Sequence, residues 1–177
     1  DFANKIYSLG KKHKIITIAG GPEITAHPDD ICSFDYISTG EGEQKIPSLI
    51  KQILKSNKTI DITLNNNQNT NPNYPSPYLD GTLNLNEYHG ALWELARGCP
   101  FKCSYCYESK GEKTVRYFPL ERIEKELDLF AKENIPQVFV LDPTYNANKQ
   151  RAIQLINLIA KKTPNTFYYF EARAEFI

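Results

Sequence analysis

Three of the four cysteines fall in one stretch, Cys99-Pro100-Phe101-Lys102-Cys103-Ser104-Tyr105-Cys106, with the spacing C-x3-C-x2-C. A loop of this kind can aim three thiolates at one point. Three thiolates are one short of the four that saturate a tetrahedral zinc or a 4Fe–4S cluster. If the shortfall is real, one metal position stays open, and an open position does chemistry rather than only holding a fold. The alternative is a structural zinc site, which usually takes a second pair of ligands from elsewhere in the chain. No second pair is visible: Cys32 stands alone, and His13, His27 and His89 are scattered. The ligand count therefore favours a cluster over zinc. Cys32 itself reads as a small buried hydrophobe.

The elements around this stretch must hold it. Leu92 to Ala96 reads as a strand leading into the cysteine loop, and Pro119 opens a helix with Leu120, Ile123, Leu127, Phe130 and Ala131 on one face. Gln137 to Leu141 is a continuous apolar run, a second strand. A helix over 148–162 turns Ala152, Leu155, Ile156 and Ile159 inward, and Thr166 to Phe170 is a third strand. This is a βαβαβ series, which argues a parallel sheet with right-handed crossovers. Asp142, Glu171 and Arg173 then lie at or just beyond the ends of the next two strands. Parallel strands in sequence order would bring them to the same rim as the cysteines. Against a role in chemistry stand a turn or capping role for Asp142 before Pro143 and an ion pair at a strand end for Glu171 and Arg173.

An earlier unit is legible as well. Phe2, Ile6 and Leu9 mark a helix over 2–12, and Ile15 to Ala19 is a β-branched run ending in Gly20-Gly21-Pro22. Residues 28–33 suggest one helical turn. Asp35 to Ser38 is a second short strand, ending in Thr39-Gly40-Glu41-Gly42-Glu43. Ile46, Leu49, Ile50, Ile53 and Leu54 follow at helical spacing, with Pro47 in the first turn. Both glycine loops follow strands, where ligands sit in open α/β sheets. The glycines either let backbone approach a bulky ligand or merely end the strands. Thr59 to Leu64 alternates weakly, as an edge strand would. Asn65 to Tyr78 is rich in Asn and Pro and has no period. The expected organisation is a partial Rossmann-like, flavodoxin-like domain over 1–56, a linker with an edge strand over 57–90, and a second α/β domain over 91–177.

Composition narrows the class. The 177 residues carry 21 basic and 21 acidic side chains, a balance that gives no footprint for nucleic acid or an anionic membrane. No apolar run approaches the ~20 residues that span a bilayer, and no secretory signal opens the chain. Clustered cysteines without a disulfide framework point to a reducing, cytoplasmic setting. There is no methionine, the chain opens inside a helical pattern and it closes directly after a strand-like run. It reads as an internal piece of a longer protein, inactive by itself.

C-x3-C-x-aromatic-C, with Tyr105 at the aromatic position, resembles the signature of the radical SAM enzymes. The stretch from Trp93 to Lys113 resembles the branch of that superfamily with a cobalamin-binding domain, and GGP and GEGE-like loops in this order resemble that domain. The resemblance implies that Cys99, Cys103 and Cys106 hold a 4Fe–4S cluster whose open iron is chelated by S-adenosylmethionine. It implies reductive cleavage of that cofactor to a 5′-deoxyadenosyl radical, with Tyr105 beside the adenine and Asp142, Glu171 and Arg173 as cofactor or substrate contacts. It implies that 91–177 is the first βαβαβ half of a partial (β/α) barrel. On the front unit it implies cobalamin held by Gly20, Gly21, Pro22, Thr39, Gly40, Glu41 and Gly42. The Asp-x-His-x-x-Gly loop that supplies an axial histidine in some such domains does not occur in this sequence.

Three functions follow: a cobalamin-dependent radical SAM enzyme, with methyl transfer one outcome; a radical SAM enzyme whose front domain only packs; or a non-enzymatic Fe–S binding module. The resemblance further implies an external electron donor of flavodoxin or ferredoxin type and an unidentified small-molecule or peptide substrate.

Overall fold

The computed structural model describes residues 2–27, 33–55, 74–106, 108 and 114–176, and of Gln44 the backbone only. Cys32, nearly all of the expected turn at 28–33 and the expected edge strand at 59–64 lie outside the described residues. The chain divides into two compact units, 1–68 and 69–177.

The first unit runs α1 (Phe2–His13), β1 (Ile18–Gly20), α2 (Pro22–Ala26), β2 (Tyr36–Ser38) and α3 (Gly42–Lys55). β1 and β2 are parallel neighbours, with Ile18 opposite Tyr36 and Gly20 opposite Ser38. β1 starts later than the apolar run suggests because α1 ends in a Schellman cap. Lys14 takes φ 57°, its N–H donates to Lys11 O at 3.2 Å, and the Ile15 N–H donates to Gly10 O at 2.8 Å. Ile15 is consumed by the cap and stands exposed with Ile16. The expected apolar stripe of α1 also stands exposed among the described residues, and the buried residue of this helix is Gly10. A Cβ there would lie 2.5 Å from Thr17 Cγ2, so glycine sets how closely α1 meets the chain entering β1. Asp35 fastens the same corner: it accepts from Lys11 Nζ at 2.6 Å and from the Thr17 N–H and hydroxyl at 2.9 and 2.8 Å. In α3, Leu49 is fully buried while Ile50 and Leu54 are exposed.

The second unit carries β3 (Ala91–Trp93), β4 (Ala96–Arg97), β5 (Arg116–Tyr117), α4 (Leu120–Lys132), β6 (Gln137–Val140), α5 (Lys149–Lys162) and β7 (Phe167–Tyr169). β3, β6 and β7 form one sheet in that order, all parallel, separate from the β1–β2 sheet. The single strand expected over Leu92–Ala96 is in fact two. β3 stops at Trp93, and β4 leaves the sheet to pair antiparallel with β5. Residues 74–90, read from sequence as linker, pack on this unit: Leu85 is buried in its core and the Tyr78 hydroxyl donates to Leu92 O at 2.6 Å.

One face of the sheet, with Ala91, Trp93, Val138 and Val140, is buried in a core with Ile123, Leu127 and Phe130 of α4 and Ala152, Leu155 and Ile159 of α5. Ala131 and Ile156, expected inward, are exposed. A carboxylate takes an inward position instead. Glu126 is fully buried and accepts from Trp93 Nε1 at 2.7 Å and from Arg122 Nε at 3.0 Å. On the other face Leu92, Phe139, Leu141, Phe167 and Tyr169 are exposed. Apolar residues on both faces are the pattern of a parallel sheet made to be covered twice.

Candidate functional site

The cysteines occupy an excursion, residues 98–115, closed at its base by the β4–β5 pair, Ala96 opposite Tyr117 and Arg97 opposite Arg116. The base is fastened on several sides. The Phe118 N–H donates to Leu95 O at 3.0 Å, and Arg151 of α5 donates from Nη2 to Phe118 O at 2.7 Å. Arg97 forks onto Glu94 at 2.7 and 3.0 Å, with its guanidinium 4.7 Å from the Tyr74 ring centroid. Asp142, just past β6, accepts both the Leu95 and the Ala96 N–H on Oδ1, at 2.7 and 3.0 Å. It is only 4% exposed, and burial pushes its carboxyl up to about 6, the two amides and Arg151 opposing the rise and Glu94 adding to it.

The three cysteines are free thiols. Cys99 is buried, its Sγ 3.7 Å from the Thr144 hydroxyl on the turn after β6. Cys103 and Cys106 are half-buried and joined by a turn, the Cys106 N–H donating to Cys103 O at 3.1 Å. Arg173, after β7, places Nη1 3.7 Å from Cys103 Sγ and lies 4.2 Å over the Phe101 ring. Its backbone is held by Asn146, which accepts from the Arg173 N–H at 2.9 Å and donates to its carbonyl at 2.8 Å. The loops after β6 and β7 thus meet the cysteine loop at one rim, the rim at which the parallel strands β3, β6 and β7 end. Arg173 pairs with Glu175 and not with Glu171. The Glu171 side chain is exposed, and its backbone carbonyl accepts from the Tyr145 N–H at 2.8 Å. Tyr105 is 91% exposed at the tip of the turn. Among the described residues no three His, Cys, Asp or Glu side chains are grouped closely enough to hold a metal ion. The donor set, three free thiols on one short loop, fits a cluster with one open iron. The sulfurs are strung along the loop rather than gathered around a point.

Thr144, Asn146 and Arg151 escaped the sequence reading. Each acts through a contact with a residue 27 to 45 positions away. The only local signal is their place just after β6 or on the first turn of α5.

In the first unit the two glycine loops follow adjacent parallel strands and lie side by side. Thr25 of α2 bridges them: its hydroxyl donates to Gly21 O and accepts from the Gly40 N–H, both at 2.8 Å. Lys45 Nζ donates to Thr39 O at 2.7 Å. Gly21 (φ 102°) and Gly40 (φ 73°) adopt backbone that favours glycine. A Cβ on Gly21 would meet nothing within 4 Å, so its backbone faces open space, as a cradle for a bulky ligand must. Thr39 and Glu41 are half-buried beside it. Among the described residues no helix is long and apolar enough to cross a membrane.

Comparison with known proteins adds the following. Residues 93–175 match the profile of the Radical SAM superfamily. The cobalamin-dependent radical SAM methyltransferase TokK of Streptomyces tokunonensis is 27% identical over 171 residues, 80% of this chain and 25% of that protein. The 2-(S-pantetheinyl)-carbapenam-3-carboxylate methyltransferase of Streptantibioticus cattleyicolor is 27% identical over 161 residues, 74% of this chain and 23% of that protein. An uncharacterised methyltransferase of Pyrococcus horikoshii is 25% identical over 165 residues, 80% of this chain and 36% of that protein. The chain spans about a quarter of the length of the first two. The match takes in the cysteine loop and its rim, so the segment from Trp93 to Glu175 is similar to part of the radical SAM core.

Proposed function

We propose that this chain carries the S-adenosylmethionine-cleaving loop of a cobalamin-dependent radical SAM methyltransferase. The observation that carries the reading is the placement of three free cysteines on one loop, fixed at its base to the rim where the loops after β6 and β7 also end. The names of two relatives, TokK and the carbapenam methyltransferase, support methyl transfer, and the first supports cobalamin.

Cys99, Cys103 and Cys106 hold the 4Fe–4S cluster. When bound, the cluster supplies an electron to the sulfonium of S-adenosylmethionine, and cobalamin supplies the methyl group that is transferred. Thr144 meets the sulfur of Cys99 at 3.7 Å. Arg173 brings a fixed positive charge to Cys103, where an anionic sulfur set would sit. Tyr105 is assigned to the adenine, and Glu171 and Arg173 to the cofactor or substrate. In the first unit the Gly20–Pro22 and Thr39–Gly42 loops, bridged by Thr25, cradle the corrin, with Thr39 and Glu41 as hydrogen-bonding side chains. The enzyme works in the cytoplasm with a flavodoxin- or ferredoxin-type donor, on a small molecule or peptide.

The test is anaerobic reconstitution of the full-length protein with iron, sulfide and cobalamin, followed by S-adenosylmethionine and a strong reductant. Brown, four-iron protein that forms 5′-deoxyadenosine is expected, with both lost in Cys103→Ala. Stoichiometric zinc without iron would overturn the cluster. Iron-loaded protein that binds no corrinoid by absorbance would leave the first unit as a packing module.

A further inference from the structure

We propose that Asp142 is a positioning residue for the cysteine loop: its carboxylate grips the Leu95 and Ala96 amides and so sets where the loop leaves the sheet. The inference rests on the reading of Cys99, Cys103 and Cys106 as cluster ligands, and it departs from the expectation that Asp142 contacts S-adenosylmethionine.

β3 is in register with β6 through Trp93, and the Leu141 N–H still donates to Trp93 O at 2.7 Å. Beyond that point the chain swings off the sheet. Leu95 and Ala96 are buried, and no strand of the sheet runs beside them. Their N–H groups would be orphaned donors away from water. One oxygen, Oδ1 of Asp142, takes both, at 2.7 and 3.0 Å. The loop direction is thereby tied to the end of β6 by a side chain 46 and 47 residues away in sequence. Two residues further on, Thr144 meets Cys99 Sγ, so the same turn fixes both the neck of the loop and its first thiol. Orientation by such outer groups is how proteins aim metal ligands.

The grip needs an acceptor oxygen and not a charge. The carboxyl is pushed up to about 6 chiefly by burial, with Glu94 adding and Arg151 opposing, and Tyr117 and Tyr145 facing it. A protonated carboxyl still accepts through its carbonyl oxygen, and an asparagine accepts in the same place.

Asp142→Asn and Asp142→Ala are compared with wild type after anaerobic reconstitution with iron and sulfide. Iron content, the electron paramagnetic resonance spectrum of the reduced cluster and S-adenosylmethionine binding are read in each. Asp142→Asn should load iron, show the wild-type spectrum and bind the cofactor as wild type does. Asp142→Ala, judged folded by far-UV circular dichroism, should hold iron about 10- to 100-fold more weakly with an altered spectrum. Equal loading and spectrum in Asp142→Ala would overturn the proposal. So would Asp142→Asn that loads its cluster normally and loses S-adenosylmethionine, because the charge would then be the working part. Should Asp142→Ala fail to fold, Asp142→Asn decides alone: wild-type loading, spectrum and cofactor binding are expected, and loss of any of the three overturns the proposal. Wild type that takes up no iron overturns the cysteine reading and the inference with it, an outcome distinct from failure of Asp142 alone.

Discussion

Replacing Gly21 by alanine separates backbone strain from ligand contact in the first unit. Gly21 sits at φ 102°, ψ −175°, a region that is essentially reserved for glycine. Its new Cβ would meet no atom within 4 Å, so no steric clash contributes. The whole cost is torsional, about 1–3 kcal/mol. For a unit of this size each kcal/mol lowers Tm by about 4–8 °C. The sequence holds one tryptophan, Trp93 in the second unit, so its fluorescence reports that unit and far-UV circular dichroism reports both. Gly21→Ala should shift part of the circular dichroism transition and leave the tryptophan transition in place. Corrinoid affinity should fall as well, measured at a temperature where the variant is folded, because the methyl enters the space the loop leaves open. A stability change below about 0.5 kcal/mol, the usual scatter of surface substitutions, would show that the Gly21 backbone is not imposed as described. Unchanged corrinoid affinity in a variant that is measurably strained would remove this loop from the cobalamin site.

Trp93→Phe removes the 2.7 Å bond to Glu126 and leaves a fully buried carboxylate with Arg122 alone. The loss should be about 2–4 kcal/mol in urea denaturation followed by circular dichroism, and a loss under about 1 kcal/mol would contradict the network. Gly90→Ala drives a Cβ to 2.8 Å from Gln137 Cγ and 2.9 Å from its carbonyl oxygen, at the start of β6. It should cost about 1–3 kcal/mol by the same assay, and a neutral result would mean the two strands have room to part. pH should act with opposite signs on the two units. Asp142 is raised from 3.8 to about 6, so the folded state binds more protons between these values and stability falls as pH rises through them, by up to about 3 kcal/mol. Asp35 is lowered to about 2, chiefly by Lys11, so its contribution is present above 3.8 and is lost as pH falls toward 2. Asp142→Asn should flatten the first slope and Asp35→Asn the second, as read by urea midpoints across pH 2–7; parallel slopes in wild type and variant would refute either assignment.

What the sequence made legible was contiguous. The cysteine triplet, the βαβαβ order and the two glycine loops each sit within one short stretch, where spacing and periodicity speak directly. What it hid depends on partners far apart in the chain. Nothing local says that the apolar run at Leu92–Ala96 breaks after Trp93, because the break is stabilised by Asp142, 46 and 47 residues further along the chain. Asp142 was singled out from its place after a strand as a cofactor or substrate contact, and its neighbours in sequence do not reveal that its oxygen faces backbone. Nothing in the sequence singles out Thr25, whose partners Gly21 and Gly40 are brought to it by two parallel strands. The stripe of α1 misled for another reason: helical spacing shows that a face is apolar, not that something covers it.

The pinched base of the cysteine loop bears on upkeep. The bonds described at this base are made by backbone at 95–97 and 116–118 and by the Glu94, Arg97, Asp142 and Arg151 side chains. The sulfurs of Cys99 and Cys103 meet Thr144 and Arg173 instead. On the proposed reading, a cluster destroyed by oxygen would take with it nothing that shapes the loop's mouth. The three thiols follow one another at short intervals, so regathering them demands little loop-closure entropy. Damaged protein would then be restored in place, by delivery of iron and sulfide to an already folded chain, without passing again through the unfolded state.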